Sequence, residues 1–242
     1  MRPTRQFFLS IIMLLAFAPV YADQDSAAVP KQAEKATWNV TQPGYSVTAS
    51  QASIAVSEGT WMSLDISPDG QHIVFDLLGD IYRIPFEGGL AEPLRSGLAW
   101  EIQPRYSPDG QSLAFTSDID GGDNIWVLDL VSDEARQVTF EKFRLYNSPS
   151  WHPDGQYIAA RKHFTTSRSL GTGEIWLLDA HGSKNNPGVP IIERADPALQ
   201  KELGEPTFAA DGQSLYFTRD STPGNTLDSN LKCIIQSCRR RG

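Results

Sequence analysis

A short motif recurs four times along the chain, and its spacing limits the folds that the chain can adopt. Each copy has an aromatic or aliphatic residue, one variable residue and then Pro-Asp-Gly-Gln, with alanine in place of proline in the last copy. The copies lie about 40 to 60 residues apart, as in arrays whose units pack against their neighbours. The Asp-Gly pairs are Asp69 and Gly70, Asp109 and Gly110, Asp154 and Gly155, and Asp211 and Gly212.

Each copy of the motif predicts the turn of a β-hairpin. Apolar residues stand three positions before each aspartate and four positions after it, in period-two alternation on both sides. Proline presets φ at the first corner, aspartate bonds its own backbone, and glycine takes positive φ. We therefore interpret the four aspartates and their glycines as structural turn residues, in preference to a ring of carboxylates that binds a cation.

Two further strands follow each of the first three hairpins. The third strands begin near Ile81, Ile125 and Ile175, and a short outer strand comes after each. Four strands are the content of one propeller blade, so the predicted fold class is all-β, a partial β-propeller with about three complete four-stranded blades and the start of a fourth. An open stack exposes its end faces, so we expect exposed residues at both ends: Trp61, Leu64, Phe208 and Phe217.

Residues 1–22 have the features of a secretory signal peptide. Arg2 and Arg5 supply positive charge, an apolar run follows, and Val20-Tyr21-Ala22 places small residues at a cleavage site. The apolar run is shorter than the roughly 20 residues that a membrane-spanning helix needs. We expect an exported bacterial protein, periplasmic or extracellular, with no stable membrane span after cleavage.

The remaining chain divides into three predicted segments. Residues 23–50 predict a leader or linker, residues 51–224 the propeller segment, and residues 225–242 an aberrant tail. Both cysteines, Cys233 and Cys238, and an arginine triplet occur in this tail, where the repeat pattern stops. We interpret the tail as a frameshift or premature end of a truncated chain, with a natural basic tail as the alternative.

The charge of the chain argues against one class of partner. The formal net charge is −8, and removal of Arg2 and Arg5 with the signal peptide makes it −10. Binding to phosphate backbones needs a basic face, so nucleic acid is not an expected partner.

One insertion stands out as a candidate interaction loop. The interval from the turn aspartate to the third strand grows from 12 to 16 to 21 residues in successive units, through Asp118–Asp123 in the second and His163–Gly173 in the third. Loops on one face of a repeat array commonly bind partners. The third insertion and the residues just before it are locally basic and glycine-rich, and we predict a flexible interaction loop containing Arg161, Lys162, His163, Arg168, Gly171 and Gly173.

Neither catalytic nor metal-binding spacing is recognisable. The chain has no Gly-x-Ser-x-Gly elbow, and its four histidines form no His-x-His or His-x-x-x-His pair. We predict neither catalytic residues nor metal ligands in this chain.

The Ser-Pro-Asp-Gly blades resemble the TolB-type propeller repeat of exported bacterial proteins. Three longer blocks resemble the start of exported amidohydrolase-related proteins. They begin at Glu58 (residues 58–70, with 76–82), at Arg161 (161–166, with 168–176) and at Lys201 (201–206). The whole resemblance covers about residues 38–224. In that family a TolB-like propeller precedes a metal-dependent amidohydrolase barrel. The barrel is absent here, so zinc or a similar divalent metal is expected only in the missing domain.

The resemblance implies a non-catalytic, exported propeller segment. Its expected partners are the missing C-terminal amidohydrolase-like domain or envelope proteins. Two alternatives stay open: a TolB-like periplasmic interaction module of the cell envelope, or the propeller of a prolyl-oligopeptidase-like peptidase. The peptidase would require a downstream Gly-x-Ser-x-Gly and a later histidine.

Overall fold

The structure, a computed structural model, describes residues 55–142, 145–164, 172–193 and 203–218, which all belong to one compact unit. These residues form fourteen strands and no helix. The predicted signal peptide, the 23–50 leader and the 225–242 tail with its cysteines lie outside the described residues.

Three four-stranded antiparallel sheets and one hairpin make up the fold. Blade 1 contains β1 (Leu64–Ile66), β2 (His72–Leu77), β3 (Asp80–Pro85) and β4 (Glu92–Arg95). Blade 2 contains β5 (Glu101–Tyr106), β6 (Ser112–Ser117), β7 (Asn124–Asp129) and β8 (Ala135–Gln137). Blade 3 contains β9 (Leu145–Trp151), β10 (Tyr157–Phe164), β11 (Thr172–Asp179) and β12 (Val189–Ile192).

The fourth sheet is the hairpin of β13 (Thr207–Phe208) and β14 (Leu215–Tyr216), which we call blade 4. In every sheet, strands that are consecutive in the chain are hydrogen-bonded neighbours. The prediction of a partial all-β propeller with three complete blades and the start of a fourth is therefore confirmed.

The repeated motif closes the first hairpin of each blade. In blade 1 the Ser67 hydroxyl donates to the Asp69 carboxylate at 2.6 Å, and the same carboxylate accepts the Gln71 N–H at 3.0 Å. Gly70 has a φ of 71°, which favours glycine because it has no Cβ to clash. Blade 2 repeats these bonds around Asp109, and Asp154 and Asp211 accept the corresponding N–H groups in blades 3 and 4.

Blades pack through alternating positions of their strands. The residue five positions after the turn aspartate, on the second strand, faces the next blade: Val74, Ala114 and Ala159, all fully buried. Residues four and six positions after it face the preceding blade, as Leu113 and Phe115 do against Val74. The next two junctions repeat this arrangement, with Ile158 and Ala160 in one core cluster and Leu215 and Phe217 in another. Period-two alternation in the sequence therefore determines which face of a blade meets which neighbour.

The same rule explains which apolar residues are exposed at the two ends. Trp61 and Leu64 on blade 1 are exposed, as predicted. The prediction for Phe208 and Phe217 was wrong, because both face blade 3: Phe208 is partly buried and Phe217 is buried. The exposed aromatic residue of blade 4 is Tyr216, which occupies the position of Val74 and Ala159.

The predicted third-blade loop is shorter in the structure. Strands β10 and β11 each have eight residues, against six for the equivalent strands of blade 2, and His163 pairs with Gly173 in their ladder. Arg161, Lys162 and His163 are therefore strand residues, and their placement in a flexible loop was wrong. Longer strands take up much of the insertion, because their residues continue the cross-strand hydrogen bonding. Arg168 and Gly171 lie outside the described residues.

Candidate functional site

A pocket opens where the innermost strands of the four blades come together. It has a volume of about 450 Å³ and lies at the turn ends of β1, β5 and β9, beside residues 205–210. Clefts of about 300 to 1,000 Å³ are the usual size for ligand sites. Ser107, Ser148, Pro149 and Pro206 are buried wall residues, while Glu205 is exposed.

Hydrogen bonds between side chains and backbone join the inner strands of neighbouring blades. The Asp65 carboxylate of blade 1 accepts the Tyr106 N–H of blade 2 at 2.8 Å. At the same register one junction later, the Trp151 indole N–H donates to the Arg105 carbonyl at 3.1 Å. The Ser150 hydroxyl then accepts the Phe208 N–H of blade 4 at 3.2 Å. These bonds fix the pocket wall by satisfying polar groups that the curved stack would otherwise leave unpaired.

A second set of bonds runs deeper along the inner strands. The buried Asp76 carboxylate accepts the Ser63 N–H at 3.0 Å and the Gln103 N–H at 2.6 Å. The Gln103 side-chain oxygen accepts the Ser148 N–H at 2.8 Å and the Thr116 hydroxyl at 3.0 Å. Gln103 and Ser148 have φ values of 58° and 54° and lie at irregularities in the ladders of β5 and β9. Such bulges re-aim backbone groups, and here they turn two N–H groups toward the preceding blade.

Two opposite charges face each other at the mouth of the pocket. Arg105 Nη2 lies 3.9 Å from Glu205 Oε2, and the Glu205 side chain is 54% exposed. The other terminal nitrogen of Arg105, Nη1, donates to the carbonyls of Pro104 at 2.8 Å and Leu64 at 3.3 Å. The guanidinium is thus positioned mainly by the backbones of blades 1 and 2.

Comparison with known proteins places this architecture in a family. The profile of the TolB beta propeller domain (PD40) matches residues 45–190. The chain belongs to the TolB β-propeller family. The Tol-Pal system protein TolB of Desulfosudis oleivorans is 33% identical to it over 43% of this chain and 22% of that protein. The uncharacterized peptidase YuxL of Bacillus subtilis is 25% identical over 55% of this chain and 24% of that protein. The chain thus matches about a quarter of the length of these curated relatives.

A solved structure agrees on the fold of this TolB-type propeller. The putative TolB of Agrobacterium tumefaciens superposes with a TM-score of 0.56 at 19% identity, over 73% of this chain and 57% of that one. At this identity the likeness concerns the fold alone.

The basic residues predicted for the interaction loop divide between two environments in this TolB-type propeller. Arg161 faces the inner-strand network, where its Nε donates to the Asn147 side chain at 3.1 Å and its Nη1 to the Leu203 carbonyl at 3.0 Å. Lys162 points to the other face of β10, is 2% exposed and forms an ion pair with Glu141. Gly173 packs against the Arg161 side chain and is buried. Their role in binding a partner stays a prediction.

His163, on β10, has a strongly shifted pKa. Burial lowers the pKa of His163 from 6.5 to about 4, and the positive charge of Arg161 adds to the effect. Its Nε2 lies 3.3 Å from the Asn147 side-chain nitrogen, which fits a neutral ring that accepts a hydrogen bond.

We expect His163 to make the fold less stable as the pH falls from about 6.5 toward 4. Its folded pKa lies below its unfolded pKa, so the unfolded state binds more protons in this window. The His163→Gln variant should lose less stability than the wild type between pH 7 and pH 4.5 in urea unfolding. Subtracting the free energies of unfolding of the two proteins at each pH cancels the pH dependence that both share. Carboxylates with raised pKa values, such as buried Glu101, contribute to this shared part. Parallel pH profiles would contradict the assignment.

Hydrogen bonds to the turn aspartates of the TolB-type repeat stabilise their charged form. The Ser67 hydroxyl and the Gln71 N–H lower the pKa of Asp69, and Ser107 and Gln111 lower that of Asp109 in the same way. These carboxylates are exposed and serve the turns of this propeller. No group of three or more His, Cys, Asp or Glu side chains is placed to hold a metal ion in the part of the chain that the structure describes.

The pocket and network residues were missed by the sequence reasoning, although the sequence carried a signal for them. The position four residues before the turn aspartate is polar in all four copies of the repeat: Asp65, Arg105, Ser150 and Thr207. The position six residues before it is polar as well: Ser63, Gln103, Ser148 and Glu205. The prediction of the blades depended on the apolar positions on either side of the turn aspartate, and the polar positions added nothing to it. Within the described ranges, no helix is long and apolar enough to span a bilayer.

Proposed function

We propose that this chain is a non-catalytic β-propeller segment of a larger exported protein. We also propose that the face of blade 1 that points away from blade 2 docks against another domain or another protein. The observation that carries the proposal is a contrast between equivalent residues. Ile66 of blade 1 is 46% exposed, whereas Tyr106, at the same position in blade 2, is 8% exposed because blade 1 covers it. An apolar face built to the same pattern as three covered faces fits a protein partner better than open solvent.

The sequence blocks that begin at Glu58, Arg161 and Lys201 support an amidohydrolase-type protein as the larger whole. In this proposal the propeller positions or gates a separate barrel, and the divalent metal belongs to that barrel. Residues 51–224 are then the propeller segment, and 1–22 direct export to the periplasm or beyond. The match to about a quarter of each longer relative supports a segment within a longer protein.

A second candidate is a TolB-like interaction module of the cell envelope. The family match and the relative named as a Tol-Pal system protein favour it. The relative named as a peptidase supports the third possibility, a propeller that accompanies a peptidase domain. All three candidates share a propeller that works by contacting protein.

The docking face can be tested with a paired substitution. We expect the Leu64→Ser/Ile66→Ser variant to self-associate less than the wild type, because both side chains are exposed on the open face, at 54% and 46%. The free energy of unfolding of the monomer should change by less than about 1 kcal/mol. Sedimentation velocity over a concentration series and urea unfolding measure the two quantities.

The control is Val131→Ser, which removes a still more exposed apolar side chain, at 81%, from a turn of blade 2. Equal self-association in all three proteins, or a sharp concentration-independent monomer for the wild type, would contradict docking at blade 1. Zinc-dependent amide hydrolysis by the chain alone, abolished by a chelator, would contradict its non-catalytic role.

A further inference from the structure

The mouth of the inner-strand pocket carries an excess of negative charge. Its charged lining residues are Asp65, Arg105 and Glu205, two carboxylates and one guanidinium. Both Asp65 oxygens accept backbone N–H groups, from Ile66 at 2.9 Å and Tyr106 at 2.8 Å. Glu205 is the acid of this set that remains available, since its contact with Arg105 is 3.9 Å and longer than a hydrogen bond.

The pocket walls combine serine hydroxyls with a stiff apolar part. Proline side chains form this apolar part together with the ring of Trp151: Pro68, Pro108, Pro149, Pro153 and Pro206. Bonds between blades fix these walls, because the Trp151 indole is tied to the Arg105 carbonyl and the Ser150 hydroxyl to the Phe208 N–H. A preformed cleft loses less conformational freedom when a ligand binds.

We propose that this pocket binds a lysine or arginine side chain of an extended peptide, with the cation at Glu205 and the aliphatic stem along the proline and tryptophan walls. Long basic side chains combine an apolar stem with a charged head, which matches walls of this kind below a carboxylate. The volume of about 450 Å³ exceeds one side chain and leaves room for the flanking peptide. An anionic ligand is disfavoured, because it would face two carboxylates and a guanidinium already engaged by two carbonyls.

Three blocked pentapeptides test the charge that the pocket selects. The probes are Ala-Pro-Lys-Pro-Ala and its analogues with norleucine or glutamate in place of lysine, each flowed over the chain immobilised at low density for surface plasmon resonance. We expect the lysine peptide to bind with a Kd at or below about 1 mM and the norleucine peptide about three- to fivefold more weakly, the range of an exposed ion pair. The glutamate peptide should bind least.

Two variants locate the binding. Glu205→Gln should weaken the lysine peptide about three- to fivefold and leave the norleucine peptide unchanged. Thr207→Trp, at an exposed wall position, should abolish binding of both by filling the pocket. Glu87→Gln removes the same charge from an exposed turn of blade 1 and should change nothing. Unfolding temperatures of all variants verify that they are folded.

Several results would overturn the assignment: no binding of the lysine peptide at about 1 mM, equal binding of the three probes, or equal effects of Glu205→Gln and Glu87→Gln. The test leaves Leu64 and Ile66 unchanged. Peptide binding is measured by surface plasmon resonance and docking at blade 1 by sedimentation, so the two proposals can fail separately although Ile66 also lines the pocket.

Discussion

Replacing Phe115 by alanine is expected to lower the free energy of unfolding by about 4 kcal/mol, the range for a buried phenylalanine in a close-packed core. Phe115 is 1% exposed and packs between blades 1 and 2 in a cluster with Val74 and Ile81. Removing the ring leaves a cavity that the two sheets cannot close, because each is held by its own hydrogen-bonded ladder. Urea unfolding followed by tryptophan fluorescence measures the loss.

Phe75→Ala provides the matched control. Phe75 is the same residue at the same position of blade 1, six residues after the turn aspartate. It stacks on Tyr82 with ring centroids 5.7 Å apart, but blade 1 has no described blade before it, and Phe75 is only partly buried. We expect Phe75→Ala to cost about 1 kcal/mol, since less apolar surface leaves water there on folding. Equal costs at the two positions would mean that the face of blade 1 is covered in solution.

The repeat predicted most of the fold because each element of the pattern has a local physical cause. Pro-Asp-Gly fixes the first turn through φ and through bonds to the aspartate, and alternation fixes the faces of the strands on either side. The third strands near Ile81, Ile125 and Ile175 lie where the sequence placed them.

The predictions that failed depended on contacts between distant residues. The burial of Phe217 depends on residues of blade 3 such as Ala159 and Ile175, which lie more than forty positions earlier in the chain. Lys162 looked like a loop residue because it is charged, yet Glu141 and two aromatic rings allow it to lie inside a strand. The pocket is set by bonds across blades, such as Tyr106 N–H to Asp65. The polar positions of the repeat mark such residues, but only the packing of the blades determines their partners.

The buried lysine of blade 3 gives the second large prediction. Lys162 forms an ion pair with Glu141, and its ammonium lies 4.1 Å from the ring centroid of Trp176 and 4.8 Å from that of Tyr146. Glu141→Gln leaves this buried charge without its ion-pair partner, so we expect a loss of about 3 kcal/mol. The two rings, and Glu174 opposite Lys162 on β11, keep the loss at the low end of the usual range.

Lys162→Met should cost far less, within about 1 kcal/mol, although it removes the same ion pair. Methionine has a similar length and no charge to desolvate, and the Glu141 left behind is 30% exposed and can be hydrated. In the double variant, Lys162→Met should rescue most of the loss caused by Glu141→Gln, because the buried ammonium that needed Glu141 is then gone. Urea unfolding of the wild type and the three variants completes the cycle. Additive losses would show that Lys162 does not depend on Glu141, and that its other neighbours stabilise its charge.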